Sequence, residues 1–454
     1  MEQRTVAFCT LGCKVNQYET NAMMQSFIET GYGIVEFEEK ADIYVVNTCT
    51  VTNMADKKSR QMLRRVKEIN PNSILVAVGC YVQVAKEKLE EIPEIDLILG
   101  VNEKSEIVEY VEELIRTKNT TVMQVSDVAK QEEFVEFGPV TYTEKTRAVI
   151  KVQDGCNQFC SYCIIPYARG RIRSRRPEWV MAEITRIAEK GIKEVVLTGI
   201  HLASYGRDFA KNIVADISND FEYEIDKKEF LLIDLLEEIQ KIEGIERIRL
   251  GSLEPTLITE EFVARLSKLS KICDQFHLSL QSGCDETLKR MNRKYTTEEF
   301  EKGVELLRKA YPKVHLTTDV IVGFPGETEE EFQKTYVFLE KIKFYKMHVF
   351  KYSPRSGTVA AKMPNQIDGN VKEERSNLLM ELSDKNETEY QKRYIGKQVE
   401  VLLEDREGEY IKGHTTNYMV VKVRTTEELE NIIQEVMITG VQNLETIGEI
   451  GINP

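Results

Sequence analysis

Cys156, Cys160 and Cys163 lie within the run Cys156-Asn157-Gln158-Phe159-Cys160-Ser161-Tyr162-Cys163. With these spacings one tight loop points three thiolates at a single iron–sulfur cluster, and three ligands leave one iron of a four-iron cube without a protein partner. Chemistry on a bound molecule would take place at that iron. Zinc is the competing reading, since Cys-x-x-Cys pairs also build zinc ribbons. Structural zinc wants four ligands in two spaced pairs, and the chain holds no second Cys-x-x-Cys and no His-x-x-x-His. A thioredoxin-like redox pair would use Cys160 and Cys163, but it leaves Cys156 unexplained and lacks the strand-then-helix setting such a pair requires.

Three further cysteines are far apart in sequence yet share a local setting. Apolar, strand-like runs occur at Thr5-Val6-Ala7-Phe8, Ile43-Tyr44-Val45-Val46 and Ile74-Leu75-Val76-Ala77-Val78, each followed by a more polar segment of helical length. Cys13 follows the first through Thr10-Leu11-Gly12, Cys49 the second through Asn47-Thr48, and Cys80 the third through Gly79. Strands alternating with helices form a parallel sheet, whose carboxyl ends share the edge where open α/β sheets bind ligands. Cys13, Cys49 and Cys80 are therefore expected to converge on a second cluster. The competing reading is three buried, inert thiols, a common fate of free cysteine. Cys9 belongs to the first strand, and Cys273 and Cys284 match no ligand spacing; all three are read as packing.

These sites need several elements to position them. A chain of 454 residues is too long for one core and points to roughly two to four domains. Residues 1–115 read as an N-terminal α/β domain, 116–141 as a polar connector and 142–375 as a second α/β domain. In the last, strand-like runs at Ala148-Val149-Ile150-Lys151-Val152, Glu194-Val195-Val196-Leu197, Ile248-Arg249-Leu250, Phe276-His277-Leu278-Ser279-Leu280, Leu316 to Val322 and Met347-His348-Val349-Phe350 alternate with helix-like segments. Six βα units make an incomplete barrel with its reactive residues at the strand carboxyl ends. A polar, mostly acidic insertion between Gly206 and Phe230 would lie beside the barrel mouth. Residues 376–454 read as a helical lead-in and a small antiparallel β-barrel, from runs at Gln398-Val399-Glu400-Val401-Leu402-Leu403, Tyr418 to Val423 and Val436 to Val441.

Composition narrows the function classes. Nine cysteines form an odd set, and with no export signal ahead of the first strand they argue for ligand or catalytic thiols in a cytoplasmic protein. No apolar run approaches the ~18 residues of a membrane span. A net charge of −14 excludes a global electrostatic footprint for nucleic acid, so RNA binding must use local patches. One is Arg169, Arg171, Arg173, Arg175 and Arg176, directly after the cysteine loop, which would hold phosphates or a bound cofactor. A second is Lys57, Lys58, Arg60, Arg64, Arg65 and Lys67 on the helix after Cys49, where a solvated face is the default.

The Cys-x-x-x-Cys-x-x-Cys loop, with Tyr162 just before its last cysteine, resembles the signature of the radical S-adenosylmethionine (SAM) enzymes. The resemblance implies that SAM chelates the open iron and that Tyr162 lies against the adenine. Thr318-Asp319-Val320-Ile321-Val322-Gly323-Phe324-Pro325-Gly326 resembles the family's adenine-contacting strand and turn, which makes Asp319 and Gly323 SAM contacts, and Gln281 in Leu280-Gln281-Ser282-Gly283 could face the ribose. The C-terminal barrel resembles the OB-like TRAM module, although from Lys397 to Pro454 only five Lys or Arg face eleven Asp or Glu.

Two cysteine triads plus this barrel resemble the radical-SAM methylthiotransferases over essentially the whole chain. Thr10-Leu11-Gly12-Cys13-Lys14-Val15-Asn16-Gln17 looks most like the branch that acts on N6-threonylcarbamoyladenosine (t6A), at position 37 in the anticodon loop of tRNA, giving the 2-methylthio derivative ms2t6A. The implied cofactors are two 4Fe-4S clusters and SAM. Cys156, Cys160 and Cys163 would hold the radical-initiating cluster, and Cys13, Cys49 and Cys80 the sulfur-presenting one. A reductant such as a flavodoxin or ferredoxin would supply electrons. The alternatives are the isopentenyladenosine branch and, in another class, a non-catalytic iron–sulfur carrier that docks on RNA or the ribosome; such a carrier would normally saturate its cubes with four cysteines.

Overall fold

The structure, a computed structural model, describes residues 3–450 apart from 90, 118–121, 144–145 and 210–229. The first half is a six-stranded sheet of β1 (Thr5–Thr10), β2 (Gly33–Val35), β3 (Ile43–Thr48), β4 (Ile74–Gly79), β5 (Leu97–Leu99) and β6 (Val122–Gln124), ordered β2-β1-β3-β4-β5-β6. Every pairing is parallel. The strands read as nearly unbroken apolar runs because both faces are covered. Val6, Val45, Val76 and Leu97 pack under helices Lys14–Glu29 and Ile107–Thr117, while Ala7, Tyr44, Val46 and Leu75 pack under helix Asn53–Ile69. The polar connector contributes β6 to this sheet.

The second half contains the six strands expected from the apolar runs, here β7 (Arg147–Asp154), β9 (Glu194–Gly199), β10 (Arg247–Leu250), β11 (Gln275–Gln281), β12 (His315–Val322) and β13 (Lys346–Lys351), with a two-residue antiparallel strand β8 (Arg173–Ser174) beside β7. They form two sheets, β10-β9-β7-β8 and β11-β12-β13, joined by bridges at Ile248–Ile272 and Leu253–Leu278. Alternation decides which side chains face inward. On β7, Ala148, Ile150 and Val152 enter the core beneath the outer helices, leaving Lys151 and Gln153 on the opposite face. Residues 210–229 of the insertion lie outside the described residues; its two ends meet, Gly206 lying against the carbonyl of Phe230.

The C-terminal segment is a closed barrel of β14 (Gln398–Glu407), β15 (Tyr410–Thr415), β16 (Val420–Arg424), β17 (Ile432–Gln442) and β18 (Glu445–Ile450), ordered β14-β15-β16-β18-β17. It is not antiparallel throughout, since β16 and β18 pair in parallel. Its Thr415–Thr416 turn docks at the amino end of the larger barrel, where Arg249 donates to the carbonyls of Thr416 (3.0 Å) and Thr415 (3.2 Å). Among the described residues, no helix is long and apolar enough to cross a membrane.

The two α/β halves meet through buried charge. Glu19, on helix Lys14–Glu29, receives Lys104 (2.6 Å) from its own half and Lys151 (2.7 Å) and Arg169 from the other. Lys151 and Arg169 also reach Asp154, at 2.6 and 3.3 Å. Burial opposes ionisation of Glu19, but Arg169, Lys104 and Lys151 outweigh it and hold the carboxyl well below the usual carboxylate range. Removing one partner from such a group leaves the others charged and unpaired in low dielectric. Glu19→Ala should therefore destabilise the chain by about 3–5 kcal/mol, measured as a lower urea midpoint, whereas exposed Glu38→Ala should shift it by less than about 1 kcal/mol.

Candidate active site

The first cysteine loop starts where β7 ends. Gly155 has φ +70°, and a Cβ there would lie 1.7 Å from the carbonyl oxygen of Arg171, so the loop turns under a crossing strand of backbone that only glycine tolerates. The Cys156 amide then donates to the Gly170 carbonyl (3.0 Å), the Cys163 amide to Cys160 (2.9 Å), and the Ser161 amide to Met291 (3.0 Å). The three thiols are half-buried. Burial pushes Cys163 up to about 12, helped by the neighbouring Cys160, and burial likewise pushes Cys156 up to about 11.

Three polar groups that sequence reasoning missed stand over this loop. Arg293 donates to the Cys160 sulfur (3.2 Å) and to Glu254 (2.8 Å), and His201 lies 3.6 Å from the same Glu254 oxygen. The other Glu254 oxygen and Nε2 of His201 are buried without a hydrogen-bond partner. Their positions after β9 and β10 and beyond β11 were the available signal, but no motif ties them together in sequence.

The second set converges as the strand-end argument requires. Gly12, φ +102°, lets Cys49 lie directly above it, since a Cβ there would meet the Cys49 sulfur at 2.7 Å. Asn16 fastens the two loops by donating to the carbonyls of Leu11 (2.7 Å) and Thr48 (3.0 Å). Cys49 is pushed up to about 11, mainly by burial and further by Cys80 and Cys13. Cys80 is raised by burial while Arg169 and Lys104 pull it back.

Two connections bring both triads to one face. Arg169, six residues beyond Cys163, donates through Nε to the Cys80 sulfur (3.1 Å) and through Nη2 to Asn16 (2.7 Å). The loop after β13 spans the other side: Arg355 donates to Thr50 (2.5 Å) and Asn53 (2.8 Å) beside Cys49, and the Ala360 amide donates to the Ser161 carbonyl (2.8 Å).

The remaining SAM candidates are spread along the barrel. Tyr162 packs edge-on against Phe324, ring centroids 6.4 Å apart, which places it at the Gly323 turn. Gly323 has φ +69°, and the Lys372 side chain lies on one side of it, its Cγ 2.3 Å from where a Cβ would be. Asp319 faces His277 (3.3 Å). Gln281 has a left-handed backbone, φ 71°, at a bulge between β11 and β12. Cys273 and Cys284 are buried, and Cys9 is partly so.

The arginine run departs from the expected phosphate grip. Arg169, Arg173 and Arg175 are buried, and Arg175 is absorbed by Glu136 and Glu183 (2.9 Å). Arg171 and Arg176 remain exposed and lie over the rings of Phe159 and Trp179. Spacing did not reveal this, because the acids that draw the arginines inward come from other parts of the chain.

Each triad presents three sulfurs, a donor set for iron–sulfur clusters rather than for oxygen-preferring ions. Among the described residues, no group of His, Cys, Asp or Glu is arranged to hold one metal ion. In the buried ion network that reaches Cys80 through Arg169, the cations Lys104, Lys151, Arg169 and Arg173 outnumber the acids Glu19 and Asp154, and Nε and Nη1 of Arg173 are buried without partners. This surplus fits an anionic cluster.

Residues 150–339 match the model of the radical SAM superfamily, and residues 5–100 match that of the uncharacterized protein family UPF0004. The chain is 42% identical to the threonylcarbamoyladenosine tRNA methylthiotransferase MtaB of Bacillus subtilis, over 96% of this chain and 93% of that one. It is 35% identical to the tRNA-2-methylthio-N(6)-dimethylallyladenosine synthase of Caldicellulosiruptor saccharolyticus, over 94% and 88%. Among solved structures, the radical SAM methyltransferase TsrM of Kitasatospora setae, with cobalamin and a [4Fe-4S] cluster bound, shares the fold with a TM-score of 0.56 at 15% identity, over 79% of this chain and 77% of that one. The radical SAM match and near-complete alignment with the first of these relatives place this chain in the family of radical-SAM tRNA methylthiotransferases.

Proposed function

We propose that this enzyme replaces the hydrogen on carbon 2 of N6-threonylcarbamoyladenosine, at position 37 of tRNA, with a methylthio group. The observation that carries the reading is the pair of cysteine triads held at one face, one inside a barrel half and the other at the edge of a parallel sheet. Higher identity to the threonylcarbamoyladenosine enzyme than to the dimethylallyladenosine synthase favours this substrate. An aromatic C–H of this kind has no proton that a side-chain base can remove readily. Two 4Fe-4S clusters and SAM, when bound, would relay the electron from an external donor and supply the radical and the methyl group of the transferred methylthio.

The chain's own residues bind, orient and enclose. Cys156, Cys160 and Cys163 would hold the first cluster, and Cys13, Cys49 and Cys80 the second. Arg293 places positive charge on Cys160, and the unpartnered Glu254 oxygen is available to a cationic group of the cofactor. Tyr162, Gln281, Asp319 and Gly323 are the further SAM contacts of this reading. Residues 1–115 present sulfur, 142–375 start the reaction, and 376–454 help to hold the RNA.

The substrate is polyanionic, but within the C-terminal barrel Arg406, Lys412, Lys422 and Arg424 each pair with a carboxylate. On helix Asn53–Ile69, beside Cys49, Lys57, Lys58 and Arg64 are exposed and make no ion pair among the described residues. This face is the better phosphate contact. A tRNA substrate supports a cytoplasmic location, and a low-potential donor such as a flavodoxin or ferredoxin supplies the electron.

Cluster loading requires thiolates, and burial keeps Cys163, Cys156 and Cys49 protonated at neutral pH. In the metal-free chain their alkylation should speed up about tenfold per pH unit between about pH 7 and pH 9; a flat profile would contradict the burial argument. Replacing any of Cys156, Cys160 or Cys163 by Ala should abolish SAM cleavage to 5′-deoxyadenosine. Replacing Cys13, Cys49 and Cys80 together should halve iron content while sparing cleavage. Mass spectrometry of tRNA nucleosides from a deletion strain should show ms2t6A replaced by t6A. Loss of the methylthio-isopentenyl nucleoside instead would move the enzyme to the sister branch.

A further inference from the structure

We infer that Arg169 is a positioning residue for the second cluster: a guanidinium supplied by the barrel half that hydrogen-bonds the sulfur of Cys80 and sets the reduction potential and iron retention of a site otherwise built by the other half. The inference rests on the reading of Cys13, Cys49 and Cys80 as cluster ligands.

The geometry is specific. The Arg169 side chain is fully buried, and its fork is divided among four partners, one of them Asp154 at 3.3 Å from Nη1. Nε donates to Cys80 Sγ at 3.1 Å, Nη2 to Asn16 Oδ1 at 2.7 Å and to Glu19 Oε2 at 3.0 Å, and Nη1 binds the other Glu19 oxygen. Asn16 is the residue that fastens the Cys13 and Cys49 loops, so one guanidinium touches the framework of the whole triad. A lysine could not reproduce this, having a single nitrogen and no planar fork. Glu19 orients Arg169 from below, as carboxylates orient the ligands of metal sites.

The chain on either side of Arg169 belongs to the first cluster. Helix Ile165–Arg169 begins two residues after Cys163, and the Gly170 carbonyl accepts the Cys156 amide at 3.0 Å. The same short segment therefore braces the first cysteine loop through its backbone and the second triad through a side chain.

Adding an electron to a cluster adds negative charge, and an N–H···S bond from a permanent cation stabilises the reduced form. Loss of that bond should lower the potential and loosen the iron. The test uses the full-length chain with Cys156, Cys160 and Cys163 replaced by Ala, so that the second cluster alone is read by redox-poised electron paramagnetic resonance and by iron release to a chelator. Arg169→Lys keeps a charge beside Glu19 and removes the fork. It should shift the potential downward and release iron about 10–100-fold more readily. If Arg169→Lys folds poorly, Arg169→Gln removes the guanidinium while Glu19 keeps Lys104 and Lys151 and Asp154 keeps Lys151, and the same two shifts are expected. Unchanged potential and iron release in a folded variant overturn the inference. A parent chain that takes up no iron at the second triad overturns the cluster reading itself, and the inference with it.

Discussion

Two carboxylates, Glu19 and Asp154, are buried where the α/β halves join, and the rest of the molecule depends on how their charge is met. Buried ions are costly unless every one is paired and hydrogen-bonded. Here the partners are split between the halves: Lys104 from the sheet domain, Lys151 and Arg169 from the barrel. Neither half has a complete charge set alone, so correct docking is enforced electrostatically and not by apolar contact only. The interface that balances these charges is also the interface that brings the two cysteine triads together.

Much of this was legible from residue types and spacing. The Cys156 loop reads directly from its spacing, and the strand-end cysteines read from topology, because parallel strands with short turns leave no other place for Cys13, Cys49 and Cys80. What stayed hidden depended on partners distant in sequence. Arg169 and Glu19 are 150 residues apart, and nothing local to either marks the pair. The arginine run read as a phosphate grip for the same reason, since Glu136, Glu183 and Asp154 draw its members inward. Strands β15 and β18 escaped because Lys412, Gly413 and His414 in one, and Glu445, Gly448 and Glu449 in the other, dilute the apolar alternation.

The small glycines and the large cations do complementary work. Gly12 and Gly155 let backbone and sulfur approach closely, which fixes where each thiol sits. Arg293 and Arg169 then reach across from elsewhere and set the charge beside Cys160 and Cys80, while Arg355 clasps Thr50 and Asn53 next to Cys49. Backbone geometry supplies position and long side chains supply potential, a division that lets either be altered without rebuilding the other.

The split ownership of the buried charges also orders events during biosynthesis. Ribosomes add roughly 5–20 residues per second, and domains fold as they emerge. The sheet half, with Glu19, Lys104 and the cysteines Cys13, Cys49 and Cys80, is complete before Arg169 leaves the ribosome. For that interval Cys80 lacks its guanidinium cover and Glu19 lacks two of its three cations. The nascent sheet is then at its most open, and the arrival of residues 151–169 closes it. The order of the two halves along the chain therefore leaves Cys80 more open before residues 151–169 arrive than after.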